Sequence, residues 1–431
     1  MQDSDGEGRD TRTVVAGLVV GVFFGGVVGG VAFPTLPRLG ALLGFSALVV
    51  GVVLSINRAT RTVLNAPAGA VLDRVGTRRP MLAGFFLEAL APVGYVLGLT
   101  HAWTGGLASV LPVSATTASA ATFVVARVVW GVGSAFVLVG AFSTITKVTT
   151  PENRGRWMGY MRGGQSLGFP GGLVLGGLVA DLVSFRAAFA LAGVAAVVAL
   201  VSCAFVLPDV SPDLDGGRTG LRDVPRLAFS DVRVFAVGAT NFVVRFLFVG
   251  VLLSTVVEYA AVHDVHVGAL SATGVSGVVM AVCMLFSAGS TVVAGRLADR
   301  ARDRTHVVVP SLCVFGVGFA VLGLVPTLLG TFVGVALVGL GVEGANLPLM
   351  AYLGDISPEG DVGKLGGVYN VFGDLGGTVG PLVALPFAAA FGYDVEYLGC
   401  VLFAVGVAVA VWVAVGGDDE TLDPSAVPAD D

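Results

Sequence analysis

The sequence predicts an all-α polytopic membrane protein with twelve transmembrane helices in two pseudo-symmetric six-helix bundles. Three observations predict it: repeated apolar runs of membrane-crossing length, a scarcity of charge, and landmarks that recur half a chain apart. Of 431 residues, 55% are hydrophobic and 13% charged, with a mean hydropathy of +0.89. Soluble domains carry roughly 25% charged residues. The runs lie near 14–35, 43–72, 80–100, 120–147, 158–181, 187–207, 233–260, 268–295, 306–326, 330–354, 363–390 and 395–415. Each is long enough to cross a hydrocarbon core of about 30 Å. Inside lipid the backbone must satisfy its own hydrogen bonds, so the runs are helices. The alternating segments of about ten residues that mark a membrane barrel are missing from the sequence.

The four cysteines, Cys203, Cys283, Cys313 and Cys400, all fall in apolar runs without metal-ligand spacing, and read as small hydrophobes. No metal site or cofactor is expected. The acidic start "MQDSDGEGRDTRT" precedes a full-length apolar run, which reads as a first span rather than a cleaved signal. Lys147 and Lys364 are the only lysines against 22 arginines, and the net charge of −6 points to a solvated acidic surface with no call for nucleic acid.

Orientation follows from the basic residues. The N-terminal arm and every second loop carry 18 of them, from Arg9 and Arg12 through Arg74, Arg78, Arg79, Lys147 and Arg154 to Arg304 and Lys364; the intervening loops hold Arg38 and Arg186. The positive-inside rule then puts both termini in the cytoplasm of a multi-pass cell-membrane protein.

The chain is internally duplicated. "GAVLDR" (69–74) recurs as "GRLADR" (295–300), offset by 226, and "PENRGRWMG" (151–159) as "PEGDVGKLGG" (358–367), offset by 207. The drop in offset implies an insertion in the first half, for which "HAWTGGLASVLPVSATTASA" (101–120), read as an external loop, is the candidate. The expected organisation is an N-terminal six-helix bundle at 1–207, a cytoplasmic linker at 208–232, a C-terminal bundle at 233–416 and an acidic cytoplasmic tail at 417–431. Parallel halves of this kind frame a central pathway in secondary transporters.

These residues resemble the major facilitator superfamily over nearly the whole chain. Its signature between the second and third helices stands as Gly69, Asp73, Arg74, Gly76, Arg78 and Arg79, and its second copy keeps Gly295, Asp299 and Arg300. The fourth run reads "RVVWGVGSA" (127–135), similar to the family's Arg-x-x-Gln-Gly, with Trp130 in the glutamine position. The resemblance implies that helices 1, 4, 7 and 10 line the pathway, that 2, 5, 8 and 11 flank the interface of the halves, and that Arg127 takes part in proton coupling. Gly69 permits close helix approach. Asp73, at a cytoplasmic helix end, is expected to cap the start of helix 11 near Gly363 as a gate.

Embedded charges carry the site. A charge at mid-helix costs about 2.5–3.5 kcal/mol on insertion scales, so such residues face cavities and partners. Arg61 lies 12 residues before Asp73, Glu343 12 before Asp355, Arg245 12 after Arg233 and Asp374 12 after Val362. All four are then about 18 Å deep. Polar neighbours follow at helical spacing: Asn57, Arg58 and Asn65 around Arg61, Asn241 before Arg245, Asn346 after Glu343, and Asn370 before Asp374. Asp374 is expected to face Arg58 or Arg61. Glu88, in the third run, reads as structural.

Glycine supplies the close-packing faces, with 63 residues and clusters such as "FFGGVVGGVAFP" (23–34) and "GGQSLGFPGGLVLGG" (163–177). Drug–proton antiporters of the resembled family carry a Gly-Pro pair before a double glycine in helix 5; here Pro170 precedes Gly171 and Gly172 without that pair, and Gly380-Pro381 stands in the eleventh run instead. No phosphate-binding Gly-x-x-x-x-Gly-Lys-Ser/Thr, catalytic triad or His-Glu-x-x-His is present, so the chain is read as a transporter and not an enzyme. The expected function is proton-coupled efflux of a small solute by alternating access, in a monomer. Proton-coupled uptake, an uncoupled facilitator and a transporter-like sensor are the alternatives.

Overall fold

The computed structural model describes residues 11–208, 229, 231–301, 303–357 and 362–415. Almost all of the expected 208–232 linker, and the whole 417–431 tail, lie outside the described residues. Thirteen helices are described: α1 Thr11–Leu42, α2 Ala47–Val75, α3 Arg78–Gly98, α4 His101–Val110, α5 Ala115–Val148, α6 Pro151–Leu182, α7 Phe185–Val206, α8 Val232–Val262, α9 Ala272–Arg300, α10 Thr305–Leu324, α11 Leu328–Asp355, α12 Val362–Phe391 and α13 Tyr393–Val415. All but α4 are the twelve spans of an all-α membrane fold. Eleven are long and apolar enough to cross a bilayer by composition alone. The other, α6, has 32 residues, but seven glycines between 163 and 180 dilute its apolar character.

The sequence punctuates these helices where it should. Ser46, Ser114, Ser184, Asp231 and Thr327 each precede a helix and accept a backbone N–H of its first turn, at 2.8–3.4 Å. The α2–α3 turn needs Gly76, whose φ of +80° is strained for residues with a Cβ. Residues 101–120 are not a loop throughout. Residues 101–110 form α4, and α5 begins at Ala115, so the Ser/Thr/Ala-rich composition concealed helix. Arg38 is likewise not in a loop but inside α1.

Cα packing divides the described chain into two compact units. The first takes the chain up to Arg218 with Val249–Ala281 and Thr378–Ala390; the second takes Thr219–Phe248, Val282–Gly377 and the chain from Phe391 onward. Helices α8, α9 and α12 thus contribute to both.

The first unit is built on glycine. Along α1 and α6 a Cβ at Gly26 would lie 2.9 Å from the Phe169 nitrogen, and one at Gly176 2.6 Å from the Val31 Cα. Gly51 of α2 admits the Pro381 carbonyl of α12, and Gly250 of α8 meets Gly380 backbone to backbone. Small residues at such seams let main chains touch, which is how helices associate where lipid removes the hydrophobic drive. An aromatic core of Phe45, Tyr95, Phe123 and Phe189 fills one end of the unit, with ring centroids 5.1–6.3 Å apart.

Candidate functional site

In the second unit, polar groups of three helices converge in one connected network. Arg245 closes the regular first part of α8, and its Nη2 lies 3.7 Å from Glu343 Oε1 of α11. The other carboxylate oxygen accepts Asn346 Nδ2 at 3.2 Å. The Tyr369 hydroxyl of α12 then bonds Asn346 through both its side-chain and main-chain oxygens. Asn241, one turn before Arg245 and only 3% exposed, donates to the Tyr369 carbonyl at 2.7 Å. Gly373 makes room: a Cβ there would sit 2.7 Å from Asn241 Nδ2 and 3.3 Å from Arg245 Cγ. Of the residues singled out in the sequence, the structure therefore joins Arg245, Glu343, Asn346 and Asn241. Asn370 is exposed and Asp374 half-buried on the same helix α12.

The helix ends fall within two residues of the positions used to estimate depth: α2 ends at Val75, α8 starts at Val232, α11 ends at Asp355 and α12 starts at Val362. Twelve residues at 1.5 Å each put Arg245 and Glu343 about 18 Å along their helices. Neither side chain is sealed, with 30% and 24% exposure. Directly after Arg245, residues Phe246–Leu252 wind as a π-helical turn, a form common at functional sites.

The first unit holds a different kind of node. Arg127 of α5 is 1% exposed; its Nε donates to the Val53 carbonyl at 2.9 Å, and its Nη2 to the Leu54 carbonyl at 3.0 Å and to Asn57 Oδ1 at 2.5 Å. Trp130 lies 4.9 Å from its guanidinium, a cation–π contact. These partners are neutral, so Arg127 ties α5 to α2. Trp130, in the position of the family's glutamine, thereby acquires a job. Arg58, Arg61 and Asn65 are half-buried on α2.

The signature around the α2–α3 turn is part packing and part charge. Gly69 and Gly76 are buried, Asp73 is half-buried, and Arg74 and Arg79 are exposed. Arg78 donates to the Ala204 carbonyl at 3.2 Å, which places a cation at the C-terminal end of α7. In the second copy Gly295 is half-buried, while Asp299 and Arg300 are exposed. There the nearby tie is Arg304–Asp355, at 2.6 Å, between the start of α10 and the end of α11.

Several polar residues escaped the sequence reading. Tyr369 is an aromatic in an apolar run, and only its place beside Asn370 hinted at it. Glu258 of α8 meets Arg38 of α1 at 3.5 Å. Asp181 accepts the Ser271 backbone N–H at 3.0 Å and also bonds its hydroxyl, so the last turn of α6 caps the start of α9. Such acids at the rim of an apolar run look like loop residues until the partner is seen.

A family model for the Major Facilitator Superfamily matches residues 18–381 and 234–430. Multidrug resistance protein 2 of Bacillus subtilis (strain 168) is 23% identical over 201 residues, 47% of this chain and 45% of that protein. Multidrug resistance protein 1 of the same strain is 22% identical over 402 residues, 89% of this chain and 92% of its own length. The crystal structure of a bacterial homologue of the human lysosomal transporter Spinster, inward-facing and occupied, superposes with a TM-score of 0.72 at 14% identity, covering 93% of this chain and 96% of that one. With the repeated signature and the twelve spans, these matches assign the chain to the major facilitator superfamily: it is a multi-pass membrane transporter of a small solute.

Proposed function

We propose that the protein exports its solute by proton antiport through alternating access, with Glu343 carrying the coupled proton. The observation that carries this reading is the Arg245–Glu343 pair, 3.7 Å apart and incompletely buried on two different helices. Desolvation favours the neutral form of a carboxyl, and an adjacent arginine favours the charged form. An acid whose arginine can part from it therefore exchanges a proton as the helices move. Asn346 and Tyr369 keep the carboxylate aimed while that happens. Asp374, Asn370, Arg58, Arg61, Asn57 and Asn65 are proposed to face the solute or the proton pathway, and Arg127 to support them.

Efflux is preferred because two of the relatives are named for multidrug resistance. The distribution of basic residues supports a cell-membrane location with both termini cytoplasmic. The test is transport in reconstituted vesicles with an imposed pH gradient and a panel of cationic and neutral drugs. Glu343→Gln is expected to abolish gradient-driven accumulation while exchange of solute down its own gradient persists. Undiminished gradient-driven transport in Glu343→Gln would reject Glu343 as the carrier, and solute flux without proton flux in the wild type would make the protein an uncoupled facilitator.

A further inference from the structure

The first turn of α13 holds an acid that the network does not use. Glu396 is 5% exposed, and both of its carboxylate oxygens are buried without a hydrogen-bond partner among the described residues. Its place is set by the seam between α13 and α10. A Cβ at Gly316 of α10 would lie 3.3 Å from Ala404 Cβ, and one at Gly323 would lie 2.9 Å from Leu398 Cγ and 3.0 Å from the Asp394 carbonyl oxygen. Between these contacts the Tyr397 ring stands 5.9 Å from that of Phe319. Glu396, Cys400 and Ala404 follow one another a helical turn apart, and all three are buried, whereas Val395 and Leu402 are exposed. The carboxyl therefore belongs to the inward stripe of its helix.

No cation is placed to meet it. Helices α10, α11 and α13 contain neither arginine nor lysine. After Arg304 the sequence has a single basic side chain of those two types, Lys364, in the first turn of α12, while Glu396 follows that helix's far end. On α10, His306 lies in the first turn, at the opposite end from Gly323, and Cys313 is exposed. The stretch Val232–Arg245 of α8 also packs on α13 and brings Arg233 and Arg245. Phe246, next to Arg245, lies 6.5 Å from Phe403, which is about 10 Å further along α13 than Glu396. Arg245 is engaged there with Glu343, and Arg233 precedes it by three turns. On α13 itself Asp394 adds only a like charge, and Tyr397 and Cys400 add none. The helix dipole favours an anion in a first turn, but it offsets only a fraction of the cost of burying one. The N–H of Glu396 is already given to the Gly392 carbonyl. A carboxyl so enclosed takes up a proton rather than stay ionised.

We propose that Glu396 is a proton-binding site of the second unit, occupied at neutral pH, so that a neutral carboxyl closes the α10–α13 seam. The site is separate from the Arg245 network and does not rest on the role given to Glu343. The test uses the purified full-length protein in lipid vesicles and two measurements. In infrared spectra at neutral pH, the wild type should show a carbonyl band of a neutral carboxyl group that is missing in Glu396→Gln and retained in Glu343→Gln. In thermal unfolding from neutral to alkaline pH, the Tm of Glu396→Gln should gain on that of the wild type as the pH rises. The folded wild type keeps a proton that its unfolded chain has released, so its stability falls with rising pH, and the amide removes that loss. Should Glu396→Gln not fold, Glu396→Asp keeps the acid and should shift the band rather than remove it. Identical spectra for the wild type and the Glu396 variants, or a Tm difference that does not change with pH, would mean an ionised Glu396 and overturn the proposal. Loss of proton-driven transport in Glu343→Gln moves neither readout, so the two readings fail separately.

Discussion

Arg127 and Arg245 are the same residue in two kinds of setting, and the contrast separates structure from mechanism. Arg127 is sealed, forked onto two carbonyls and an asparagine, and stacked on an indole. Arg245 keeps 30% of its side chain open and makes a 3.7 Å contact with a single carboxylate. A cation held by fixed main-chain dipoles cannot let go without breaking a helix seam. One held by a carboxylate at the edge of hydrogen-bonding distance can. On the proposed reading, replaceable partners rather than burial mark the charge that takes part in coupling.

The largest expected effect breaks the first side of this contrast. Arg127→Leu removes three charge-assisted hydrogen bonds, and folding should lose about 3 kcal/mol or more, read as a fall in Tm of the purified protein. Arg127→Lys should recover little, because an ammonium cannot reproduce the planar fork. A mild Arg127→Leu phenotype would mean that the seam holds without it. Gly172→Ala is the next test of rigidity in that unit. A methyl there meets the Val27 carbonyl and the Gly30 Cα, so a cost of about 1–3 kcal/mol is expected, whereas Gly171→Ala, which faces open space, should be neutral or slightly stabilising.

The second unit should be more forgiving in stability and less so in function. Tyr369→Phe loses one hydroxyl, about 1 kcal/mol of stability, and should loosen Asn346 enough to slow proton-driven transport. Arg245→Gln should change stability least. A double-mutant cycle with Glu343→Gln should give a coupling of about 1 kcal/mol or less, as for partly exposed ion pairs, while transport loses its pH dependence. A coupling several times larger would place Arg245 in the same class as Arg127.

Much of this is legible in the sequence. The spans declare themselves because hydropathy is a local property, and the depth of Arg245 and Glu343 could be counted from helix-end residues. The side on which Arg127 finds its partners could not, because they are carbonyls of Val53 and Leu54, and a backbone acceptor leaves no mark in a sequence. Tyr369 was invisible for a related reason: an aromatic in an apolar run looks like packing until its hydroxyl is placed. The α4 segment was hidden by composition, since Ser, Thr and Ala serve loops and short helices alike.

The π-helical turn at Phe246–Leu252 has a consequence for inheritance as much as for motion. A span winding at one pitch tolerates neither insertion nor deletion, because a single added residue rotates everything beyond it by about 100°. A wider turn is where one surplus residue can be stored without breaking the span. In α8 the store begins directly after Arg245 and contains the close contact at Gly250, so the polar face before the turn and the glycine seam within it keep separate phases. Removing one residue from that turn would realign two surfaces that have been free to diverge. A homologue lacking that residue should show its polar stripe continuing at regular spacing through the whole helix.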